Sequence, residues 1–318
     1  MKKNGGIINQ LKSGVYFVIR YIVKLIATFS CSRRILNAIY IKLNPSQKGR
    51  FHHGFAKIFR NGKNRASSGK WKVVFANKSI LMPLTSEQLW LDWDTAASIV
   101  GHDLEVKETY ELLIKSPERP DLFIDIGANY GTHSLLFLVH QIKTITFEPN
   151  PSCHDYFRRI CKLNQVTPDL EPVALGDKDG HVELSYPKHD TWLGSTNAEV
   201  AKELALTQEL VTEKIEQKTV DDYFSKIGHS RTLIKIDAEG NELSVLRGAA
   251  RTLMEKRPKI IFEVYNDGHR IELFDLFKSK NYRIFCLPWS PADKAQPLTF
   301  DQYKAAISSN FIAVPIFD

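Results

Sequence analysis

From residue 119 onward, the chain alternates short apolar runs with amphipathic segments. Each run is four to six residues long, the length of a strand that is buried on both faces of a sheet. Strands that alternate with helices indicate βαβ units, so we predict an α/β fold with a parallel sheet. The predicted parallel strands are 122–126, 144–147, 171–175, 232–237 and 259–264. Segments 282–287 and 310–314 are expected to complete the sheet, the last of them antiparallel.

The residues before this region follow a different pattern. Residues 7–31 predict a helix with a broad apolar surface and one narrow polar stripe, formed by Arg20, Lys24 and Thr28. Two central cations argue against a membrane-spanning helix, which is the least favoured interpretation. A helix that lies in the plane of an anionic membrane fits the pattern better. Packing on the main domain or on a second subunit is the alternative.

Shorter elements connect these two regions. The runs 71–75 and 80–84 predict a β-hairpin, and residues 104–113 predict a helix. Small and turn-forming residues at 61–69 mark a linker before the hairpin. The chain is therefore expected to have three parts: a basic helical N-terminal extension over residues 1–68, a cap over residues 69–118 and a main domain over residues 119–318.

Charge is distributed unevenly along the chain. The 318 residues include 43 Lys or Arg and 36 Asp or Glu, a formal net charge of +7. Seventeen of the basic residues, including Arg33 and Arg34, precede Glu87, and no acidic residue does. The extension is therefore strongly basic, and the rest of the chain is mildly acidic. An anionic membrane surface is its expected partner, while nucleic acid is the rival that the neighbouring apolar helix disfavours.

The turn after the first parallel strand carries the clearest chemical signal. Strand 122–126 ends on Gly127, a second glycine follows at Gly131, and a buried helix is predicted to start near Ser134. Such a turn directs backbone N–H groups at a ligand, which glycine allows to approach the backbone closely. Glu148 ends the next strand about 20 residues on, the spacing at which an acid meets a ribose diol. We therefore predict a cofactor that contains a nucleoside.

The residues of this turn distinguish two classes of cofactor. A dinucleotide fingerprint requires three glycines, spaced G-x-G-x-x-G. Here Asn129 stands between the two glycines, and Asp125 precedes the first of them by two positions. A carboxylate at Asp125 would repel a pyrophosphate, but it suits a ligand with an ammonium group. S-adenosylmethionine has an ammonium group and a ribose, so it is the favoured cofactor.

Taken together, the motifs resemble the FkbM-type family of S-adenosylmethionine-dependent O-methyltransferases over roughly residues 100–314. The resemblance rests on four segments that occur in order: DIGANYG at 125–131, FEPNP at 147–151, ALGD at 174–177 and IKIDAEGNE at 234–242. The family implies a Rossmann-like, doubly wound, seven-stranded sheet of the class I methyltransferase type. It also implies methylation of a hydroxyl on a sugar, a glycolipid or a related acceptor. It implies nothing about the N-terminal extension.

The resemblance further implies which residues contact the cofactor. Glu148 matches the acid that accepts the ribose hydroxyls, in agreement with its spacing from the glycine turn. The loop that holds the methionine end of the cofactor is matched by Asp125, Gly127, Asn129 and Gly131. The residues that border the adenine are matched by Ala174 and Leu175.

Methyl transfer to a hydroxyl needs alignment of the reacting atoms and removal of the hydroxyl proton. Asp237 ends the fourth parallel strand, where ligands bind in such sheets, and is the first candidate for a base or for acceptor positioning. Capping of the following helix is the alternative role for Asp237. Glu263, at the end of the fifth strand, is the second candidate, and His102, His133 and His269 are weaker ones.

No metal is expected to assist this chemistry. Asp237 and Glu263 lack a clear third ligand, and the four cysteines show no C-x-x-C spacing. Residues 187–218 interrupt the alternation of strands and helices, and they contain a polar helical segment. An insertion of this kind forms either a lid over a site or a peripheral loop.

Two other functional classes compete with this interpretation. A nucleic-acid methyltransferase would use the basic extension, but Glu239 in the loop after Asp237 would repel phosphates. A catalytically inactive binding protein with the same fold would not need the intact glycine turn and Glu148. The favoured enzyme is expected in the cytoplasm, where its cofactor is made, and peripherally on the cytoplasmic face of the membrane.

Overall fold

The computed structural model describes residues 18–59, 68–85, 88–187, 193–228, 231–264, 267–292 and 295–316. The first part of the helix predicted at 7–31 and most of the predicted linker lie outside these residues. The chain divides into two compact units, Met1–Asp103 and Leu104–Asp318. The predicted cap, residues 69–118, spans this division, with its hairpin in the first unit and its last helix in the second.

The first unit combines helices with one hairpin. Helix α1 is described over residues 18–28, and the later elements are α2 (Ser30–Ile41), α3 (Pro45–Phe59), β1 (Gly69–Phe75), β2 (Lys78–Leu84) and α4 (Leu89–Gly101). The hairpin turns at Ala76 and Asn77, which both have positive φ, and it pairs Phe75 with Lys78. The hairpin predicted from 71–75 and 80–84 is thereby confirmed.

Aromatic side chains form the centre of this unit. Tyr40 of α2, Trp71 of β1 and Trp93 of α4 are fully buried, and Phe51 of α3 packs among them. The ring centroids of Trp71 and Trp93 are 4.8 Å apart, and those of Tyr40 and Trp71 are 5.0 Å apart. Aromatic pairs at such distances stabilise a core beyond the area that they bury.

Arg33 belongs to the interior of this unit. The residue is 4% exposed, and its guanidinium donates hydrogen bonds to the carbonyl oxygens of Ala27 at 2.6 Å and Ser68 at 3.3 Å. These bonds link the end of α1 to the residue before β1. The burial of Arg33 corrects the expectation that it is one of the cations facing the membrane, whereas Arg34 is exposed.

The second unit is built on a seven-stranded sheet. Its elements are α5 (Leu104–Lys115), β3 (Leu122–Ile126), α6 (Thr132–Leu138), β4 (Lys143–Phe147), α7 (Pro151–Leu163), β5 (Asp169–Glu171), β6 (Ala174–Leu175), β7 (Gly180–Pro187), α8 (Ala198–Ala205), β8 (Leu210–Lys218), a short 3-10 helix (Val220–Tyr223), α9 (Phe224–Ile227), β9 (Thr232–Ile236), α10 (Glu242–Arg247), α11 (Ala250–Glu255), β10 (Lys259–Glu263), α12 (Asp267–Ser279), β11 (Tyr282–Cys286), α13 (Phe300–Ala305) and β12 (Asn310–Pro315).

The order of strands in this sheet is β11-β12-β10-β9-β3-β4-β5. Strand β12 is antiparallel to both of its neighbours, and the other pairs are parallel. From β3 the chain first adds β4 and β5 on one side, and it later adds β9 and β10 on the other. The predicted Rossmann-like, doubly wound, seven-stranded sheet is confirmed. Its order reverses between β3 and β9, which is where ligands bind in such sheets.

The single strand predicted at 171–175 is wrong. Strand β5 ends at Glu171, and β6 starts at Ala174 in a separate three-stranded sheet of order β6-β8-β7. Pro172 lies in the gap and has no N–H to donate to a ladder, so pairing stops there. Strand β8 was not predicted from the sequence, because its charged residues obscure the alternating pattern of a strand.

The buried contacts of Arg33 generate a stability prediction. We expect Arg33→Ala to lower the free energy of unfolding by about 1–3 kcal/mol, because the buried carbonyl oxygen of Ala27 loses this donor. Chemical denaturation followed by tryptophan fluorescence measures the change. The matched control is Arg34→Ala, which removes an exposed cation and should change stability by less than about 0.5 kcal/mol. Equal stability of the two variants would contradict the structural role of Arg33.

Candidate active site

The carboxyl ends of four adjacent strands bring the predicted site residues to one edge of the sheet. Gly127 follows β3, Glu148 follows β4 and Asp237 follows β9. Glu263 is the last residue of β10. Phe262 of β10 pairs with Ile236 of β9, so Glu263 and Asp237 follow paired positions. The structure therefore places the cofactor candidates and the catalytic candidates along the same crevice edge.

The backbones of two loops meet at Gly127. This residue has φ 76°, and a Cβ atom on it would lie 1.8 Å from the carbonyl oxygen of Asp237. The N–H of Asp237 donates to the carbonyl oxygen of Ile126 at 3.0 Å. At Gly131 (φ 69°) a Cβ atom would lie 2.1 Å from the Phe157 ring. Both glycines are thus required by the packing of the protein itself, a reason that sequence reasoning did not supply.

The carboxylate of Glu148 is buried and held by backbone donors. Its Oε2 accepts a hydrogen bond from the N–H of Asn129 at 2.6 Å, and its Oε1 accepts one from the N–H of Asn150 at 2.7 Å. Asn150 is the N-cap of α7 and Pro151 its first residue, so the FEPNP segment starts a helix directly after the acid. Burial raises the pKa of Glu148 to about 7, and the two N–H donors limit that rise.

Asp125 lies deeper, in a buried polar row. Its Oδ2 accepts hydrogen bonds from the backbone N–H of Ser134 at 2.9 Å and from the Ser134 hydroxyl at 2.7 Å. That hydroxyl also contacts the Thr146 hydroxyl at 2.8 Å. The other carboxylate oxygen, Oδ1, has no hydrogen-bond partner among the described residues. Burial raises the pKa of Asp125, and the nearby charge of Lys235 opposes the rise.

Lys235 is a site residue that sequence reasoning missed. Its side chain is buried, and its Nζ lies 2.6 Å from Oδ2 of Asp237. In the sheet register it pairs with Asp125, so one lysine lies beside both acids. A buried cation is stabilised by neighbouring carboxylates, and the charge of Lys235 opposes the rise in the pKa of Asp125. The sequence signal for this role was a single lysine inside an otherwise apolar strand, and it was interpreted only as part of that strand.

The loop after Asp237 is tightly organised. Glu239 (φ 48°) and Gly240 (φ 95°) have left-handed backbones. The buried Glu242 accepts hydrogen bonds from the N–H groups of Ala238 at 3.0 Å and Gly240 at 3.1 Å. Asp237 itself pairs with Lys235, and the residue at the N-cap position of α10 is Asn241. The capping alternative for Asp237 therefore has no support in the geometry.

Glu239 is the second residue that sequence reasoning did not propose for catalysis. Burial raises the pKa of Glu239 to about 7, and the charges of Asp237 and Glu242 raise it further, while Lys235 opposes them. A carboxylate with a pKa near 7 is suited to proton transfer at neutral pH. Its left-handed backbone, which turns the loop, was not visible in the sequence pattern.

Part of the predicted insertion contacts this loop. The Ser195 hydroxyl donates to the carbonyl oxygen of Glu239 at 2.8 Å, and the Asn197 amide donates to that of Gly240 at 3.1 Å. Asn197 also caps α8, the helical segment predicted in this region. The insertion thus supports the loop that carries Glu239, which favours a role at the site over a peripheral loop. Trp192 lies outside the described residues.

Several of the remaining candidates from the sequence lie in buried positions. Glu263 is buried and accepts a hydrogen bond from the Ser309 hydroxyl at 3.3 Å. His133 contacts the Tyr110 hydroxyl through Nδ1 at 3.0 Å inside the core. Ala174 and Leu175 are buried in β6, which pairs with β8. No group of three or more side chains able to hold a metal ion occurs within the described part of the chain.

The contact at Gly127 generates the second prediction. We expect Gly127→Ala to lower the free energy of unfolding by more than about 4 kcal/mol, because the new Cβ would overlap the Asp237 carbonyl. The control, Gly228→Ala, also has a positive φ of 59°, with ψ −149°, but no described atom lies within 4 Å of the new Cβ. It should cost only the backbone penalty of about 1–3 kcal/mol for a region that side chains rarely adopt. Thermal unfolding compares the two variants, and equal losses would contradict the close approach.

Comparison with known proteins extends these observations. The family model for the methyltransferase FkbM domain matches residues 125–284, half of the chain. Hexuronic acid methyltransferase AglP of Haloferax volcanii is 26% identical over 150 residues, which are 46% of this chain and 57% of that protein. Methyltransferase sdnD of Sordaria araneosa is 26% identical over 196 residues, covering 53% of this chain and 75% of that protein.

Among solved structures, a methyltransferase FkbM from Methylobacillus flagellatus KT aligns with 72% of this chain and 54% of its own, at 16% identity and a TM-score of 0.40. This chain spans little more than half of that protein and of AglP. The family match starts at Asp125 and includes the glycine turn, Glu148 and the loop after β9. Because this match covers half of the chain, the protein belongs to the FkbM family of methyltransferases.

Proposed function

We propose that this protein transfers a methyl group from S-adenosylmethionine to a hydroxyl of a sugar, a glycolipid or a related small or lipid-linked acceptor. One observation carries the proposal: Glu148, which suits the ribose of the cofactor, shares the crevice edge with Asp237, and Asp125 lies just beneath this edge in β3. The name of the relative AglP, a hexuronic acid methyltransferase, supports a sugar acceptor. The FkbM family supports methyl transfer itself.

The residues at the crevice fit S-adenosylmethionine. Each oxygen of the Glu148 carboxylate accepts one N–H bond and retains a lone pair for a ribose hydroxyl. Oδ1 of Asp125, a buried oxygen without a partner among the described residues, suits a donor such as an ammonium group. Gly127 presents backbone without a side chain. When bound, the cofactor supplies an electrophilic methyl group.

The acceptor hydroxyl must be oriented and must lose a proton. The Lys235 ammonium pairs with Oδ2 of Asp237 at 2.6 Å and fixes the position of this carboxylate, whereas burial raises the pKa of Glu239 to about 7. Asp237 therefore positions the hydroxyl by accepting its hydrogen bond, and Glu239 receives the proton. Glu263, the second candidate from the sequence, already accepts a hydrogen bond from Ser309 and would assist in binding the acceptor.

The charge of the loop disfavours a nucleic-acid substrate. Asp237, Glu239 and Glu242 follow one another within six residues, and an approaching phosphate backbone would be repelled by them. An inactive binding protein would not need a lysine buried beside two carboxylates, which is costly to maintain. A hydroxyl acceptor without phosphates near the reacting oxygen fits this loop best.

The first test concerns the cofactor. We expect Glu148→Gln to weaken S-adenosylmethionine binding by about 10- to 100-fold, since charge-assisted bonds to ribose contribute about 1.5–3 kcal/mol. Because the pKa of Glu148 is raised to about 7, wild-type affinity should also fall as the pH drops through that value. The variant should lose this dependence. Calorimetric titration measures both effects.

The matched control is Glu272→Gln, which removes a surface carboxylate paired with Arg247. It should leave affinity and its pH dependence unchanged. Unaltered binding by a folded Glu148→Gln variant would remove Glu148 from the cofactor site.

The second test separates the two acids of the loop. Labelled methyl transfer to a panel of glucuronides, hexose glycosides and extracted glycolipids identifies a usable acceptor. With that acceptor, Glu239→Gln should lower kcat by about 100-fold or more and abolish the fall in rate below pH 7. Asp237→Asn should lower kcat and raise the acceptor KM while this pH dependence persists. The opposite pattern would assign the proton to Asp237, and no transfer to any acceptor would contradict the proposed reaction.

A further inference from the structure

Helix α1 exposes an apolar face. Val18, Tyr21, Ile22 and Leu25 are each 48–64% exposed, and their spacing places them on one side of the helix. Phe29, between α1 and α2, is also 53% exposed. Contiguous exposed apolar side chains of this size mark interaction sites, because water disfavours them.

The opposite side of α1, which packs against the unit, carries the cations of the helix. Ala27 is buried against the unit, whereas Arg20 and Lys24 on the neighbouring turns are only partly exposed. Burial, together with the nearby charge of Arg20, lowers the pKa of Lys24. Helix α1 is thus inverted relative to a helix on an aqueous surface, which would expose its cations and bury its apolar side.

Helix α2 repeats this arrangement. Ile35 and Ile39 are 65% and 55% exposed, one turn apart, while Arg33 and Tyr40 on the opposite side are buried. Two successive helices therefore expose apolar residues and bury polar atoms. The exposed faces of α1 and α2 therefore fit a binding partner that offers an apolar environment to both helices.

We propose that the exposed apolar faces of α1 and α2 insert into the interfacial region of an anionic membrane. Charge complementarity identifies this occupant, because no acidic residue precedes Glu87. The exposed cations of the unit would meet the lipid headgroups: Arg34, Lys42, Arg50, Lys70 and Lys78. Each cation near an anionic surface strengthens binding roughly five-fold, and apolar burial adds to this.

Other occupants fit the same surface less well. A second copy would bring two basic units together and meet like-charge repulsion. Nucleic acid binds cations through its phosphates and gives no role to exposed Val, Ile and Leu side chains. Within the residues that the structure describes, no helix is long and apolar enough to cross a membrane. The inference is independent of the reaction proposed above.

Flotation of the full-length protein with liposomes tests the proposal. We expect binding to phosphatidylcholine vesicles that contain phosphatidylserine, and binding that weakens as salt concentration rises. The double variant Ile22→Ser/Leu25→Ser should reduce it at least about tenfold. Its matched control, Leu206→Ser/Ile307→Ser, removes two exposed apolar side chains of the second unit and should bind like wild type. Arg34→Gln/Lys42→Gln should weaken binding to anionic vesicles without altering thermal stability.

Several results would overturn the proposal. Equal flotation of the Ile22→Ser/Leu25→Ser variant and wild type would exclude the apolar face of α1. Binding that persists through high salt and carbonate washing would indicate a spanning segment instead. Dimers that dissociate in the Ile22→Ser/Leu25→Ser variant, in the absence of flotation, would assign this face to a second copy. Tight duplex RNA binding without flotation would assign the basic unit to nucleic acid.

Discussion

The crevice of this protein depends on a single backbone contact, between Gly127 and the carbonyl group of Asp237. The carbonyl oxygen fills the space that a side chain at position 127 would need. The Asp237 N–H bonds to the residue just before this glycine, so the ends of β3 and β9 are joined on two sides. The turn suited to the cofactor and the loop suited to the acceptor therefore keep a constant separation. Methyl transfer requires that constancy, because its reacting atoms must be aligned.

Around this contact, the chain places charged side chains in buried positions, where removal from water costs free energy. Asp125 and Lys235 are buried and Asp237 is partly exposed, and the lysine lies next to both acids. Such an arrangement contributes little net stability, and buried titratable groups with shifted pKa values cluster at functional sites. Glu239 extends this group of charges toward the loop, which is supported from one side by Glu242 and from the other by the insertion. The support explains how a left-handed backbone persists at Glu239.

The two units of the chain differ in which unusual groups they bury and which they expose. The second unit buries its unusual groups, which are charges, at the edge of its sheet. The first unit exposes its unusual groups, which are apolar side chains on α1 and α2, and buries the guanidinium of Arg33. The proposed anionic membrane interface would satisfy both the exposed side chains and the positive charge of this unit. An acceptor linked to lipid would be found at the same interface.

The sequence by itself determined the doubly wound sheet, the hairpin, the family and the positions of Glu148 and Asp237. These features follow from local periodicity and from spacings within one strand–turn–helix unit, which the chain encodes in consecutive residues. Only the tertiary structure showed that Gly127 packs directly against the carbonyl group of Asp237, about 110 residues away in sequence. It also showed that Lys235 lies beside two acids and that Glu239 has a left-handed backbone. It also divided 171–175 at Pro172 and moved Arg33 to the interior. The contact at Gly127, the pairing of Lys235 with Asp125 and the burial of Arg33 depend on residues distant in sequence, which periodicity does not record. The break at Pro172 is different, because a residue without an N–H marks it in the sequence.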